Sequence, residues 1–370
     1  MSLRTRLCSL LGIEHPILQS GMGGVAGPEL VAEVCSAGGL GILAGLNVPA
    51  GDLQKAMRRV RELTNRPFGV NLWLHSGLRP PIDPATIPDA TLDQAQRVLN
   101  QFRSRLGARS VVERPPRGPD LLAEAFEVIL EERPAVFSSA LGFDATMIER
   151  CHERGIKAMT MATTVEDART MAAAGADVIV AQGGEAGGHR SVDGKPASPE
   201  SASVGTIVLV PQVVEAVRVP VVAAGGIADG RGLVAALALG ASGILLGTRF
   251  VATRESMAAE IYKKRVLESD STATTLTDTI SGLWARALRN RFTEEYRASG
   301  APVLPPHVQR VAAGDVYQAS LKNQDPDYYP MMTGQSTGLI HDLPGAAEVV
   351  GTIVREAQGV LERLRRGDLS

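Results

Sequence analysis

The chain has little of several features that would place it in a specialised class of protein. Its 370 residues include 3 cysteines, which are odd in number and far apart, so neither a disulfide framework nor a cysteine zinc site is expected. Aromatic residues make up 4% and the formal net charge is −2, without a long basic run, which argues against a nucleic-acid surface. No apolar run approaches the ~18 residues of a membrane span, and the N-terminus has no signal-peptide pattern. These absences predict a cytoplasmic protein that binds neither nucleic acid nor membrane.

Glycine, by contrast, is abundant. The sequence has 39 glycines in 370 residues, and they stand at the ends of short apolar runs rather than in a low-complexity tract. A usual proportion is ~7%. Because glycine lacks a Cβ, this placement predicts tight strand-to-helix turns or close approach of the backbone to a ligand.

Short apolar runs rich in β-branched residues predict eight strands, each followed by a helical pattern. These runs are Pro16–Gln19, Leu40–Ala44, Phe68–Leu72, Ala135–Ser138, Lys157–Met161, Val178–Ala181, Pro220–Ala224 and Ile244–Gly247. Strands that read as continuously apolar are typical of a parallel sheet buried on both faces. The eightfold alternation therefore predicts an α/β protein with a (β/α)8 TIM barrel, and an open doubly wound sheet is the alternative.

Two stretches of the chain are not needed for eight minimal strand–helix units. They predict helical insertions after strands three and eight. We expect residues 1–250 to form the barrel, with a proline-containing helical insert at 76–133. Residues 251–342 are predicted to be a mainly helical cap or extension, and residues 343–370 a C-terminal helix that returns to the barrel. Apolar stretches in the extension are compatible with a homodimer.

In a βα barrel the active site lies at the carboxyl ends of the strands. Two glycine turns stand there on adjacent strands, Gly225–Ile227 after strand seven and Gly247-Thr248 after strand eight. Backbone N–H groups in such turns can point at a phosphate without obstruction by a Cβ. The pair predicts a phosphate site, of a flavin or of a sugar phosphate; the alternative is that these glycines only make tight turns.

The loop Gln182–Arg190, after strand six, holds four glycines and delivers His189 at its end. Such a loop can lie flat against a planar ligand, and histidine is the natural acid or base at neutral pH. His189 is therefore the candidate catalytic residue, with His75 as a weaker second candidate. Glu185 could orient His189 or cap the loop. No cluster of residues at metal-ligand spacing occurs, so no metal is expected.

The segments Pro16–Leu43, Pro67–Asn71, Val178–His189 and Val219–Phe250 resemble the nitronate monooxygenase (2-nitropropane dioxygenase) family of FMN barrels. This family is related to FMN-dependent enoyl-acyl-carrier-protein reductases and NADH:quinone reductases. The Glu-Ala-Gly-Gly-His run that ends at His189 is the specific motif. The first motif, Gln19–Gly24, departs from the Ala-Pro-Met-Ala-Gly of many nitronate monooxygenases and is nearer to the reductase branches.

The resemblance implies FMN as cofactor and a role for each matching position. His189 matches the family's catalytic histidine. Asn71 and Gln182 would bond the polar edge of the flavin, and Gln335, in the segment Thr333–Ser336, would belong to an element that closes on it. The remaining positions implied for FMN lie on the glycine-rich turns: Gly21, Met22, Gly23, Gly183, Gly187, Gly188, Gly225, Gly226, Ile227, Gly247 and Thr248.

The leading functional hypothesis is oxidation of alkyl nitronates by O2 to a carbonyl compound and nitrite, with His189 stabilising the nitro group or deprotonating a neutral nitroalkane. The first alternative is an NAD(P)H-dependent reductase of quinones or enoyl thioesters, in which NAD(P)H is a co-substrate. The second is a non-redox phosphate-binding barrel, which the lack of an Asp/Lys/Glu constellation at the strand ends disfavours.

Overall fold

The computed structural model of the protein describes residues 3–192 and 198–368, so residues 1–2, 193–197 and 369–370 of the predicted segments lie outside the described residues. The strands of the barrel are β1 (Ile17–Gln19), β2 (Leu40–Ala44), β3 (Gly69–Trp73), β4 (Val136–Ala140), β5 (Lys157–Ala162), β6 (Val178–Gln182), β8 (Val221–Ala224) and β9 (Gly243–Leu246). They are parallel and follow one another around the barrel, which β9 closes by pairing with β1. A short strand, β7 (Gly188–His189), lies outside it. The predicted (β/α)8 barrel is confirmed, and each predicted strand is present within two residues of its expected bounds.

The amino-terminal end of the barrel is closed. Helix α1 (Arg6–Leu11) places Leu7 in the same apolar cluster as Leu18 and Val180 from the strands. The Thr5 hydroxyl anchors this helix by donating to the carbonyl of Ser242, just before β9, at 2.6 Å. Because this end is filled by side chains, a ligand can enter the barrel only from the carboxyl ends of the strands.

The other helices follow in chain order and surround the barrel or extend from it. They are α2 (Pro28–Ser36), α3 (Ala50–Leu63), α4 (Asp89–Arg105), α5 (Leu122–Glu132), α6 (Ala145–Glu153), α7 (Val165–Ala173), α8 (Thr206–Ala216), α9 (Gly230–Ala238), α10 (Thr248–Val251), α11 (Glu260–Glu268), α12 (Arg291–Ala298), α13 (Val308–Ala312), α14 (Gly314–Lys322) and α15 (Ala346–Arg366). Asp144, Thr164 and Asp229 cap α6, α7 and α9, since each side chain accepts a backbone N–H of the first turn. These caps fix the loops that surround the open end of the barrel.

The predicted insert at 76–133 divides into two parts. Helix α5 packs on α3 through Phe126 and Ile129, in one core with Met57 and Val60, and so takes the place of the regular helix after β3. Only the stretch before it, which holds α4, leaves the barrel. The sequence did not predict this division, although the apolar periodicity of Leu122–Glu132 is typical of a barrel helix.

Residues 76–121 and 252–342 together form what we call the cap. Phe102 of α4 packs against Phe292 of α12 and Tyr328, at ring-centroid distances of 5.4 and 5.3 Å. The extension is not only helical, because β10 (Thr274–Thr277) and β11 (Ala285–Leu288) form a hairpin that the sequence reading does not predict. Strand β11 also pairs with β7, so the cap is hydrogen-bonded to the His189 segment.

Arg103 joins the two parts of the cap. Its side chain is 1% exposed and donates to Asp315 at 2.7 Å, and it also donates to the carbonyl of Ala312 at 2.7 Å. Both acceptors lie in the extension, whereas Arg103 is on α4. A buried guanidinium bound in this way fixes the position of α13 and α14 above the barrel.

Helix α15 returns to the outer face of the barrel. Its residues Val350 and Ile353 pack with Leu233 of α9 and Val34 of α2. Gly230 permits this contact, because a Cβ there would overlap the backbone of Ala357. Among the residues that the structure describes, no helix is both long and apolar enough to cross a membrane.

Candidate active site

A cavity of about 380 Å³ opens at the carboxyl ends of the strands, beneath the cap. Its size lies within the range of ~300–1,000 Å³ that is usual for small-molecule sites. Inward-facing residues at the ends of the barrel strands form its floor: Asn71, Ala140, Met161, Gln182, Ala224 and Leu245. The structure thus has a ligand-sized cavity on the predicted face of the barrel.

The structure brings most of the predicted site residues together in this cavity. The residues that line it are Gly21, Met22, Gly23, Asn71, Gln182, Gly187, Gly188, His189, Gly225, Gly226, Ile227, Gly247 and Thr248. Gly183 and Gln335 are not on its wall. Gly183 faces Thr206, whose hydroxyl would overlap a Cβ at that position, and the neighbour of Gln335, Ser336, lines the cavity instead.

The turns after β8 and β9 present unused hydrogen-bond donors. Among the described residues, the backbone N–H groups of Gly226, Ile227 and Thr248 donate to no acceptor. The Thr248 hydroxyl oxygen accepts the N–H of Gly334 at 3.0 Å, which leaves its own proton free to donate. Gly225 and Gly226 have φ of 109° and 71°, values that favour glycine. Unused backbone donors on two adjacent strand-end turns suit a phosphate group.

Two glycines leave space for a flat group beside these turns. A Cβ at Gly23 or at Gly188 would meet no atom within 4 Å, although both residues line the cavity. In each case the missing side chain opens room inside the cavity itself. The combination of a phosphate-sized donor set and a side-chain-free face fits FMN.

Two arginines bind the backbone carbonyls of the loop between β6 and β7. Arg190 is 1% exposed and donates to the carbonyls of Gly183 at 2.8 Å and Ala186 at 2.6 Å. Arg286 of β11 donates to the carbonyl of Gly184 at 2.8 Å. Because these three carbonyls are bound by guanidinium groups, the backbone of the loop is fixed without the help of bulky side chains.

Glu185 does not orient His189. Its carboxylate accepts the backbone N–H of Thr206 at 2.9 Å and the Thr206 hydroxyl at 2.8 Å, at the first residue of α8. A carboxylate at this position satisfies an unpaired N–H of the helix. Of the two roles left open by the sequence, the structure supports neither as stated, because Glu185 caps the neighbouring helix.

His189 is oriented by the cap. Its Nε2 lies 2.7 Å from the Ser281 hydroxyl oxygen, and the Trp73 ring meets its ring edge-on at a centroid distance of 4.5 Å. Ser281 in turn donates to the carbonyl of Leu283 at 3.5 Å, so its oxygen is free to accept from Nε2–H. This arrangement leaves Nδ1 as the nitrogen with a lone pair for a substrate.

The charge state of His189 follows from its surroundings. Burial under the cap, together with the smaller effect of the positive charges of Arg310 and Arg190, lowers its pKa from 6.5 to about 3. The imidazole is therefore neutral at neutral pH. A neutral imidazole can accept a proton or a hydrogen bond, and an anion bound beside it would raise its pKa.

The side-chain amides of Asn71 and Gln182, both predicted to bind the flavin, form hydrogen bonds with other groups of the protein. Gln182 donates to the carbonyl of His189 at 2.9 Å and accepts the N–H of Ser191 at 2.9 Å, so its amide holds the histidine loop. Asn71 donates to the Ser138 hydroxyl at 3.1 Å, and its carbonyl oxygen has no partner among the described residues. Asn71 thus retains an acceptor for a ligand, whereas Gln182 acts mainly on the protein.

His75, the weaker candidate, is buried outside the cavity wall. Its Nδ1 accepts the N–H of Gly77 at 2.9 Å, and its Nε2 has no partner among the described residues. Nor do the described residues hold a group of His, Cys, Asp and Glu that could bind a metal ion. His189 thus lies on the cavity wall, whereas His75 does not.

Sequence reasoning missed every cap residue on the cavity wall except the element around Gln335. Ser281, His307, Arg310 and Tyr329 all line the cavity, and His307 Nε2 lies 2.8 Å from the Asn47 amide nitrogen. None of them belongs to a glycine motif. The only available signal was the β-branched run at Thr274–Thr277, which is typical of a strand that could bring its loop to the site.

Comparison with known proteins agrees with this geometry. A sequence model of the family described as nitronate monooxygenase matches residues 4–356. A nitronate monooxygenase of Pseudomonas aeruginosa is 40% identical over 365 residues, covering 96% of this chain and 99% of the relative. One of Paraburkholderia phytofirmans is 37% identical over 364 residues, covering 97% of each chain.

Solved structures extend the comparison to the fold. Nitroalkane oxidase from Streptomyces ansochromogenes superposes with a TM-score of 0.86 at 34% identity, over 97% of this chain and 99% of the other. FabK from Thermotoga maritima superposes with a TM-score of 0.74 at 32% identity, over 98% of each chain. The resemblance seen in the sequence is confirmed. The chain belongs to the nitronate monooxygenase family of FMN-dependent oxidoreductases.

Proposed function

We propose that the protein binds FMN in this cavity and oxidises alkyl nitronates with O2 to a carbonyl compound and nitrite. One observation carries the proposal. The unused backbone donors of Gly226, Ile227 and Thr248 and the neutral imidazole of His189 line the same cavity. Family membership supports the same reaction. Bound FMN supplies the redox chemistry, and the protein supplies binding, orientation and proton transfer.

Different residues of the chain would carry out binding, orientation and proton transfer. The N–H groups of Gly226, Ile227 and Thr248 and the Thr248 hydroxyl bind the phosphate, and the open face at Gly23 and Gly188 receives the ring system. The cap covers the space above them. His189, held through Nε2 by Ser281, presents Nδ1 to the substrate, where it can take the proton on the carbon next to a nitro group.

The first test is spectroscopic and kinetic. The purified protein should show a flavin spectrum, either as isolated or after addition of FMN, and should consume O2 and release nitrite with propyl nitronate. A protein that remains colourless with added FMN would overturn the cofactor assignment and would revive a non-redox phosphate-binding barrel.

The role of His189 has its own test. We expect His189→Asn to lose turnover of neutral nitropropane by about 100-fold or more, the usual scale of a general base, while oxidation of pre-formed propyl nitronate falls much less. Equal losses on the two substrates would contradict the role as base and leave only stabilisation of the nitro group.

The second candidate function is an NAD(P)H-dependent reductase of quinones or enoyl thioesters. The observation that favours it is the Gln19–Gly24 motif, which is nearer to the reductase branches than to the Ala-Pro-Met-Ala-Gly of many nitronate monooxygenases. Anaerobic mixing with NADH or NADPH separates the two: rapid bleaching of the flavin supports the reductase, and its absence supports the oxidation of nitronates.

We also propose a homodimer. Met257 and Leu339 of the cap are 63% and 45% exposed, and these apolar side chains are available to an interface between two copies. Sedimentation velocity should give twice the mass of the chain, and a monomer at all concentrations would contradict it.

A further inference from the structure

One side chain on the cavity wall carries a permanent charge. Among the described residues that line the cavity, Arg310 of α13 is the sole lysine, arginine, aspartate or glutamate. The other polar side chains there are amides, hydroxyls and two histidines. A single cation therefore sets the sign of the charge at this site.

Arg310 has no partner within the described parts of the chain. It forms neither an ion pair nor a side-chain hydrogen bond, and it is exposed. The arginines nearby behave differently, since Arg103, Arg190 and Arg286 are each bound to carboxylate or carbonyl oxygens. An arginine that points into a cavity and is left without an acceptor is available to a ligand.

The neighbours of Arg310 complete a set of hydrogen-bonding groups. Its charge acts on His189, His307 and Tyr329, three groups that line the same cavity. Burial raises the pKa of Tyr329, so its hydroxyl stays protonated and can donate. The cavity wall thus holds a guanidinium fork, a phenol and the His189 ring.

We propose that Arg310 is the residue that recognises the anionic head of the substrate and selects nitronates over neutral nitroalkanes. This inference rests on the proposed function and deepens it. A nitronate carries its charge on two oxygens of one planar nitrogen, and that geometry matches the fork of a guanidinium as a carboxylate does. A neutral nitroalkane has the same two oxygens but no net charge.

The position of Arg310 at the exposed mouth has a kinetic consequence. An unpaired cation there attracts anions before they reach His189, and such attraction weakens as salt rises. The capture of nitronate should therefore depend on ionic strength, while the capture of neutral nitroalkane should not.

The test compares Arg310→Met and Arg310→Lys with Arg97→Met, which removes an exposed and unpaired arginine of α4 away from the cavity. In Arg310→Met we expect the KM for propyl nitronate to rise about tenfold, the scale of one charge-assisted hydrogen bond at an exposed site, with kcat little changed. The lysine variant should recover part of this loss. The KM for neutral nitropropane should stay within about twofold in all three variants.

A binding measurement makes the inference independent of turnover. Nitrate, a planar oxyanion, is titrated into the FMN-loaded protein by calorimetry, and its Kd should rise about tenfold in Arg310→Met but not in Arg97→Met. Equal nitrate affinities in wild type and Arg310→Met would overturn the assignment of Arg310. Loss of nitrate binding in that variant, in a protein that oxidises no nitronate, would instead support the anion site and overturn the proposed reaction.

Discussion

The barrel and the cap contribute to the same cavity in different ways. The barrel ends contribute mainly backbone, through the glycine turns after β6, β8 and β9. The cap contributes side chains: Ser281 lies 2.7 Å from His189 Nε2, and Arg310 and Tyr329 line the same cavity. Under the proposed function, this difference assigns the two regions different tasks. The barrel ends would bind a cofactor, which needs shape and N–H groups, and the cap would select a substrate, which needs charge and hydrogen bonds.

The largest effect is expected where the two regions touch through glycine. A Cβ at Gly187 would lie 2.5 Å from the backbone nitrogen of Gly334, so Gly187→Ala must displace the glycine loop or the cap segment. We expect FMN affinity to fall by at least about 100-fold, because the backbone cannot yield as a side chain can. Equilibrium dialysis measures it. Gly51→Ala on α3, where a Cβ meets nothing within 4 Å, is the control, and equal affinities in the two variants would contradict this account.

The next effect concerns the cap alone. Arg103→Met should lower the free energy of unfolding by about 2–3 kcal/mol, since it leaves the Ala312 carbonyl and the Asp315 carboxylate without their donor. Asp315 is 44% exposed, so water offsets part of the loss. Urea unfolding of the FMN-free protein measures it, with Arg97→Met as the exposed control. If FMN affinity falls as much as stability, the division between cofactor seat and cap is not valid.

A smaller effect should sharpen the role of the cap. Ser281→Ala removes the acceptor of His189 Nε2–H, so the ring is no longer fixed with Nδ1 toward the substrate. We expect kcat for neutral nitropropane to fall about tenfold, while FMN binding stays unchanged. Ser281→Thr keeps the hydroxyl and should restore most of the activity. If both variants lose activity equally, the hydroxyl does not orient the ring.

The smallest effect is on stability as a function of pH. Because burial lowers the pKa of His189 from 6.5 to about 3, the unfolded chain binds a proton in this range that the folded chain does not. The free energy of unfolding should therefore decrease as pH falls below about 6.5. His189→Asn should show a weaker decrease in Tm between pH 7 and pH 5 than wild type. His341→Asn, at an exposed position, is the control, and parallel curves for all three proteins would contradict a buried, neutral His189.

The same contrast explains what the sequence could predict. The barrel strands could be predicted because their apolar runs alternate eight times with helical patterns. Gly225 and Gly226 could be predicted because glycines at a strand end indicate a tight turn, and both have the positive φ that favours glycine. Arg310 and Ser281 were not accessible, since their place in the site depends on how the cap folds back over the barrel. For the hairpin β10–β11, the β-branched run Thr274–Thr277 was the only indication in the sequence, and it is weak. Helix α5 was not recognised as a barrel helix because a proline-containing stretch precedes it.

The sheet formed by β7, β11 and β10 has a consequence for the order in which the molecule is completed. The Ser281 hydroxyl that orients His189 lies 92 positions later in the chain, and Gly334, which packs on Gly187, comes later still. During synthesis, the last barrel strand, β9, emerges before Ser281 and Gly334. A nascent chain can thus complete its barrel strands first, and it acquires an oriented His189 only after the loop between β10 and β11, which holds Ser281, has emerged.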